Sequence, residues 1–165
     1  MLVGNFKRFF SALVENQVEF LLIGGVAAIG HGMTHSTNDL DICYKRSPEN
    51  FRAIVKALGP SHPRLRVPGG AVPFLFDEKT LSNGINFTLE TDWGDLDLLG
   101  DVPGTGNYEA LSPRAVITRF YDYELRTISL DDLIKAKQTA GRNKDKLHLM
   151  ELEAIREILK GQDPK

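Results

Sequence analysis

Leu22-Ile-Gly-Gly-Val-Ala-Ala-Ile-Gly-His-Gly-Met-Thr-His-Ser-Thr-Asn-Asp-Leu-Asp41 is the stretch from which the rest of the chain can be read. Gly24-Gly25 closes an apolar run, Val18 to Ile23, and opens a helix-compatible segment from Val26 to Gly30, with Gly32 as its terminator. Glycines at a helix start leave backbone N–H groups free to face an anion with no side chain in the way. Asp39 and Asp41 follow within Asp-Leu-Asp-Ile-Cys-Tyr, a strand predicted over Asn38 to Tyr44. Alternate strand residues share a face, so both carboxylates project from one side, roughly 6.6–7 Å apart at Cα, while Leu40 and Ile42 enter the core. Two hard oxygen donors at that spacing suit one or two divalent cations.

Working outward, Phe6, Phe9, Phe10, Leu13 and Val14 recur at helical spacing between Asn5 and Glu15 and predict an amphipathic opening helix. Ser47-Pro48-Glu49-Asn50 has the signature of a helix start, Ser47 as N-cap and Pro48 in the first turn, and Phe51, Ile54, Val55 and Leu58 continue its apolar face. Gly59 to Gly70 is rich in proline and glycine and predicts an irregular surface loop bordering a pocket. Gly84 to Glu90 and Gly94 to Leu99 predict two strands, the second carrying Asp95 and Asp97 on one face. Gly104-Thr105-Gly106 is a turn, and Val116 to Phe120 and Leu125 to Ile128 are short strand candidates. Ser129-Leu-Asp-Asp132 begins a helix with a capping-box pattern. A last helix is expected from Asp145 to Leu159, with Leu149, Leu152, Ile155 and Leu159 inward.

The 165 residues suit one domain, 1–165, with a core of about 18–128 and a C-terminal helical segment of about 129–160. A chain of this length can bury on the order of 70% of its unfolded surface. Hydrophobic content of 42% and charged content of 25% argue against disorder, and a net charge of −2 removes any global footprint for nonspecific nucleic-acid binding. The lone Cys43 excludes an intrachain disulfide and reads as a small buried hydrophobe. No apolar run approaches eighteen residues, and the first residues lack a signal-peptide layout, so the expectation is a cytoplasmic protein with no membrane partner.

Asp is disfavoured in strands, so three of them inside apolar strand patterns call for a function; a solvent-facing sheet surface is the plain alternative. Asp95 competes with Asp97 for the third ligand place. Leu96 and Leu98 bracket Asp97 as Leu40 and Ile42 bracket Asp41, which favours Asp97. His31 reads as a helix-terminal structural residue and Trp93 as sheet support, whereas His35, in the loop before the acidic strand, is placed to contact a nucleotide.

With Gly24-Gly25, His31-Gly32, Thr37, Asp39-Leu-Asp41 and Leu96-Asp97-Leu98 in place, the chain resembles the nucleotidyltransferase superfamily that includes DNA polymerase β. The order Gly-Gly-x-Ala, His-Gly, Thr-x-Asp-Leu-Asp is similar to that of the small bacterial minimal nucleotidyltransferases, among them abortive-infection type toxins. Ser129 to Lys137 and Gly141-Arg142-Asn-Lys144-Asp145 resemble that subgroup's tail. The resemblance implies an α+β fold with a mixed central sheet flanked by helices. It implies Mg²⁺, with Mn²⁺ as an alternative, held by Asp39, Asp41 and Asp97 as catalytic and metal-binding carboxylates. It further implies a nucleoside triphosphate contacted by Gly24, Gly25, His35 and Thr37 and neutralised by Lys137 or Lys144. Transfer of a nucleoside monophosphate to an acceptor hydroxyl follows, the acceptor being a transfer RNA, a protein or a small antibiotic-like molecule, with a cognate toxin or antitoxin as partner. A catalytically weak nucleotide- or partner-binding module and a metal-dependent hydrolase are the rival functions. Two positions depart from the subgroup: His35 stands where many relatives have Arg, and His148 where the tail often has Asp. An imidazole is shorter than a guanidinium and mostly neutral near pH 7, so the contact an Arg would make to the triphosphate is weakened or lost at His35.

Overall fold

A computed structural model describes residues 1–70 and 72–162. The single-domain reading of 1–165 also takes in Ala71 and residues 163–165, which lie outside the described residues. In chain order the elements are α1 (Phe6–Glu15), β1 (Phe20–Leu22), α2 (Gly24–Gly30), β2 (Asp39–Tyr44), α3 (Pro48–Leu58), β3 (Arg64–Leu65), α4 (Glu78–Asn83), β4 (Asn86–Thr91), β5 (Gly94–Leu99), β6 (Asp101–Val102), β7 (Gly106–Asn107), α5 (Tyr108–Leu111), β8 (Val116–Phe120), β9 (Tyr123–Thr127), α6 (Leu130–Ala140) and α7 (Asn143–Gln162).

Among the described residues, seven strands form one mixed sheet in the order β3-β4-β5-β2-β1-β9-β8, and β6 pairs with β7 in a separate hairpin. The β2–β5 and β1–β9 pairs are parallel and the other pairs antiparallel. Register decides what each face carries. Leu40 lies beside Leu96 and Ile42 beside Leu98, with Leu89 and Phe87 next along, and all six are buried. The opposite face of the same strands presents Asp39 beside Asp95 and Asp41 beside Asp97. This is the expected α+β architecture, a mixed sheet flanked by helices.

The opening helix buries Phe6, Phe9, Phe10 and Leu13, and Phe9 meets Trp93 edge-on at 5.5 Å between ring centroids. Val14 is exposed, so the inward stripe ends at Leu13: a helix packed on one side buries four such positions in ten residues, and the fifth turns away. At the start of α3 the Ser47 side chain accepts a hydrogen bond from the Asn50 amide, as the cap pattern predicts. The Ser129 side chain likewise accepts from the Asp132 amide, but the Asp132 carboxylate pairs with Arg114 instead of closing the box.

The structure corrects several boundaries. The second helix begins at Gly24, before Val26, and the last helix begins at Asn143 and reaches Gln162. Leu159 is exposed, because the helix has outrun the body it packs on. Gly59 to Gly70 is not wholly irregular. It contains a 3₁₀ turn, Gly59–Ser61, and then β3, which adds an edge strand to β4. An edge place demands hydrogen bonds on one side only, which a Pro-punctuated segment can supply.

Candidate active site

The two parallel strands at the sheet's centre, β2 and β5, set the site. Their in-register pairing puts Asp41 against Asp97, and both line a cavity of about 530 Å³ together with Asp39. Asp41 is partly buried, and its carboxyl is pushed up to about 8, first by burial and then by the charge of Asp97, with which it stands at hydrogen-bonding distance, and of Asp39. Like charges held this close cannot all ionise without a counter-cation.

Gly24 makes room for that carboxylate. Its φ of +62° is left-handed, and a Cβ there would overlap the Asp41 side chain. A Cβ on Gly25 would press on Thr37 Oγ1 at 3.2 Å and His35 Nε2 at 3.3 Å. The first turn of α2 has no side-chain cap, which leaves its amides for whatever the cavity holds. The loop from His35 to Thr37 is fixed by a bridge to the N-terminal segment, with the Val3 amide donating to the Thr37 carbonyl at 2.9 Å.

On the far wall, α6 and α7 bring basic groups. Lys137 is buried, and its Nζ lies 3.5 Å from Asp145 Oδ1 and 3.5 Å from His148 Nδ1. Burial lowers the Lys137 pKa, and the Asp145 carboxylate works against that. Burial raises the Asp145 pKa, but hydrogen bonds from Arg142, Nε at 2.7 Å and the backbone amide at 3.2 Å, bring it below the usual carboxylate range. Lys144 is exposed at the cavity wall.

All nine residues singled out in the sequence, Gly24, Gly25, His35, Thr37, Asp39, Asp41, Asp97, Lys137 and Lys144, line this one cavity. Asp95 does not. Arg142 and His148 also line it. His31 caps α2, and its Nε2 donates to the Ile128 carbonyl at 2.7 Å. Trp93 sits under Arg8, whose guanidinium lies 4.8 Å from the ring centroid. Cys43 is buried and its thiol pushed up to about 12, chiefly by burial.

His35 and His148 lie against each other with ring centroids 4.9 Å apart and ring planes tilted by 39°. Burial lowers the pKa of both; His148 and Lys137 add to this at His35, and Lys137 adds to it at His148.

One residue went unsignalled in the sequence. Arg66, just past β3, reaches over the neighbouring strands to Asp97 Oδ1 at 2.7 Å and Asp95 Oδ2 at 2.9 Å. It falls in the segment whose composition announces only a loop, and nothing local ties it to β4 and β5 further along the chain.

The donor set suits a divalent cation: carboxylate oxygens only, mutually repelling, beside free helix-start amides. Among the described residues, however, no three His, Cys, Asp or Glu side chains stand close enough together to hold a metal ion as they are placed. Asp41 and Asp97 are lateral neighbours on paired strands, and Arg66 holds one oxygen of Asp97.

No family model and no curated protein matches the chain. Solved structures do, at the level of fold. The lincosamide antibiotic adenylyltransferase LnuA, in its lincomycin-bound form, is 13% identical with a TM-score of 0.63, and the match covers 92% of this chain and 96% of that one. The antibiotic-resistance factor ANT(2'')-Ia is 12% identical with a TM-score of 0.58, covering 95% and 90%. An antigenic nucleotidyltransferase-like protein from Paracoccidioides brasiliensis is 11% identical with a TM-score of 0.51, covering 93% and 77%.

Proposed function

With the nucleotidyltransferase fold as premise, we propose that this chain, acting as a single domain, is a metal-dependent enzyme that moves a nucleoside monophosphate from a nucleoside triphosphate to an acceptor hydroxyl. The observation that carries the reading is the register of β2 and β5, which delivers Asp39, Asp41 and Asp97 to one cavity beside the Gly24-Gly25 helix start. Bound Mg²⁺ or Mn²⁺ would neutralise triphosphate oxygens and acidify the attacking hydroxyl. Asp39, Asp41 and Asp97 would hold it.

The remaining residues bind and orient. Amides of Gly24 and Gly25, with Thr37, grip the triphosphate; Lys137 and Lys144 offset its charge from the α6–α7 wall, and His35 stands at its side. The acceptor oxygen bonds to the α-phosphorus as the α–β phosphoanhydride bond breaks. Pyrophosphate leaves with the bonding electrons, and the acceptor proton passes to Asp97. Catalysis here is positioning and charge neutralisation.

Two of the neighbours are antibiotic-modifying or antibiotic-resistance proteins by name, so a small antibiotic-like molecule bearing a hydroxyl is the acceptor class to assay first, ahead of transfer RNA and protein. Labelled triphosphates with Mg²⁺ and such acceptors should release pyrophosphate in wild type and not in Asp97→Asn. Turnover that survives Asp97→Asn would remove the assignment.

A second reading, a nucleotide- or partner-binding module of a toxin–antitoxin pair, has its own support. Leu147, Met150 and Ile158 form an exposed apolar stripe on α7, a surface suited to a protein partner, and the neutral His35–His148 pair weakens the phosphate grip. Tight nucleotide binding without pyrophosphate release would favour it.

A further inference from the structure

We infer that Arg66 is the positioning residue that sorts the two carboxylates of β5, turning Asp95 out of the cavity and presenting Asp97 to the cation. The inference rests on the metal-site reading above and goes beyond it.

Asp95 and Asp97 stand two residues apart on one strand face, and each is the lateral neighbour of an acidic residue on β2, Asp39 and Asp41 respectively. Sheet geometry alone makes them equivalent candidates. Only Asp97 lines the cavity, and Arg66 is paired with both. One guanidinium nitrogen takes Asp95 Oδ2 at 2.9 Å, and the other takes Asp97 Oδ1 at 2.7 Å. Holding Oδ1 leaves the second oxygen of Asp97, the lateral neighbour of Asp41, without that partner.

The clamp is itself held in place. The Arg66 amide donates to the Thr88 carbonyl at 3.0 Å, and its guanidinium reaches the Leu89 carbonyl at 3.4 Å, so β4 carries the base of the side chain. Its side chain is 32% exposed, and it does not line the cavity, so it approaches the carboxylates from outside the volume a cation would fill. An always-charged planar fork suits this task, because it fixes two carboxylates at once by direction as well as by charge. Partners that orient a metal-binding carboxylate are typically worth about 10–100-fold in metal affinity.

The test is Mn²⁺ binding to the nucleotide-free full chain, followed by the free-ion electron paramagnetic resonance signal, in Arg66→Ala, Arg66→Lys, Asp95→Asn and Asp97→Asn. Arg66→Ala should weaken binding by about 10-fold or more with its metal-free circular dichroism spectrum unchanged, and Arg66→Lys should recover part of the loss. Asp95→Asn should change affinity by less than about threefold, while Asp97→Asn should remove the site. If Asp97→Asn abolishes binding and Arg66→Ala binds as tightly as wild type or more tightly, Arg66 does not position the ligand and the metal site stands without it. If Asp97→Asn binds like wild type, the metal-site reading itself fails. Should Arg66→Ala not fold, Arg66→Lys and Asp95→Asn decide: Lys affinity equal to wild type, or an Asp95→Asn loss as large as that of Asp97→Asn, overturns the sorting role.

Discussion

Asp41 carries the strongest electrostatic conflict of the site, and its consequence has a definite sign. Its carboxyl, raised from 3.8 to about 8 in the fold, keeps a proton that the unfolded chain releases above about pH 4. Unfolding is therefore increasingly favoured by proton release as pH rises through that window, so the stability of the metal-free protein attributable to this group falls between about pH 4 and pH 8 and levels off beyond. Asp41→Asn does not titrate and can still donate to Asp97. Its melting temperature should match wild type near pH 4 and exceed it by about 10 °C or more at pH 8, and scanning calorimetry at three pH values would check this; a difference constant with pH excludes the conflict. The histidine pair also belongs to single residues. Neither His35 nor His148 announces the other in the sequence, 113 positions apart as 148 minus 35, because ring contacts between a loop and a helix leave no local pattern. Contacting positions couple by about 0.5–3 kcal/mol. His35→Arg alone sets a guanidinium beside buried Lys137 and should destabilise; adding His148→Asp supplies its counter-charge, so the double variant should unfold at higher urea than the single. Additive effects would mean that the two rings act independently.

At the level of elements, legibility followed periodicity. The opening helix, the strand before Gly24, the acidic strand and the α3 cap could be read because each declares itself within ten residues, by a 3.6-residue stripe, an alternation or a Ser-Pro start. The four-to-six-residue helices α4 and α5 and the two-residue strands β3, β6 and β7 are too short for any period to show. Their caps were nonetheless in the sequence: Asp77 accepts from the Thr80 amide and Asn107 from the Ala110 amide, each three residues on. The turn between β1 and α2 carries the sharpest test. Gly24 is left-handed and fills the space against the Asp41 carboxylate, so Gly24→Ala combines backbone strain of about 1 kcal/mol or more with displacement of a site residue. It should cost about 2–4 kcal/mol by urea denaturation. Gly59→Ala, where a Cβ meets nothing and φ is ordinary helical, should fall within about 0.5 kcal/mol of wild type. Equal costs at the two glycines would show that Gly24 is merely a turn.

On the scale of the whole molecule, the cavity has a floor that local pattern reveals and a wall that only tertiary packing makes. The floor is β2 and β5, whose acidic alternation was plain, although their parallel adjacency is not something either strand states. The wall is α6 and α7, joined at Gly141 and pinned by Asp145, which is fully buried beneath Arg142 and beside Lys137. Sequence alone marks Lys137 and Lys144 as basic residues near a resembling tail. It does not show that one is buried and paired while the other is open to solvent, since burial depends on where two helices meet. Removing one partner of a buried pair leaves an uncompensated charge, so Asp145→Asn should cost about 3 kcal/mol, most of it from stranding Lys137. Replacing both, Lys137→Met with Asp145→Leu, removes the burial cost along with the attraction and should be less destabilising than Asp145→Asn alone. The pair reaches into the site as well: with Asp145→Asn, hydrogen exchange should speed up along α6 and the first turns of α7 while β2 and β5 stay protected. A double variant less stable than Asp145→Asn, or exchange that quickens equally in floor and wall, would mean that Lys137 and Asp145 do not fasten these helices over the carboxylates.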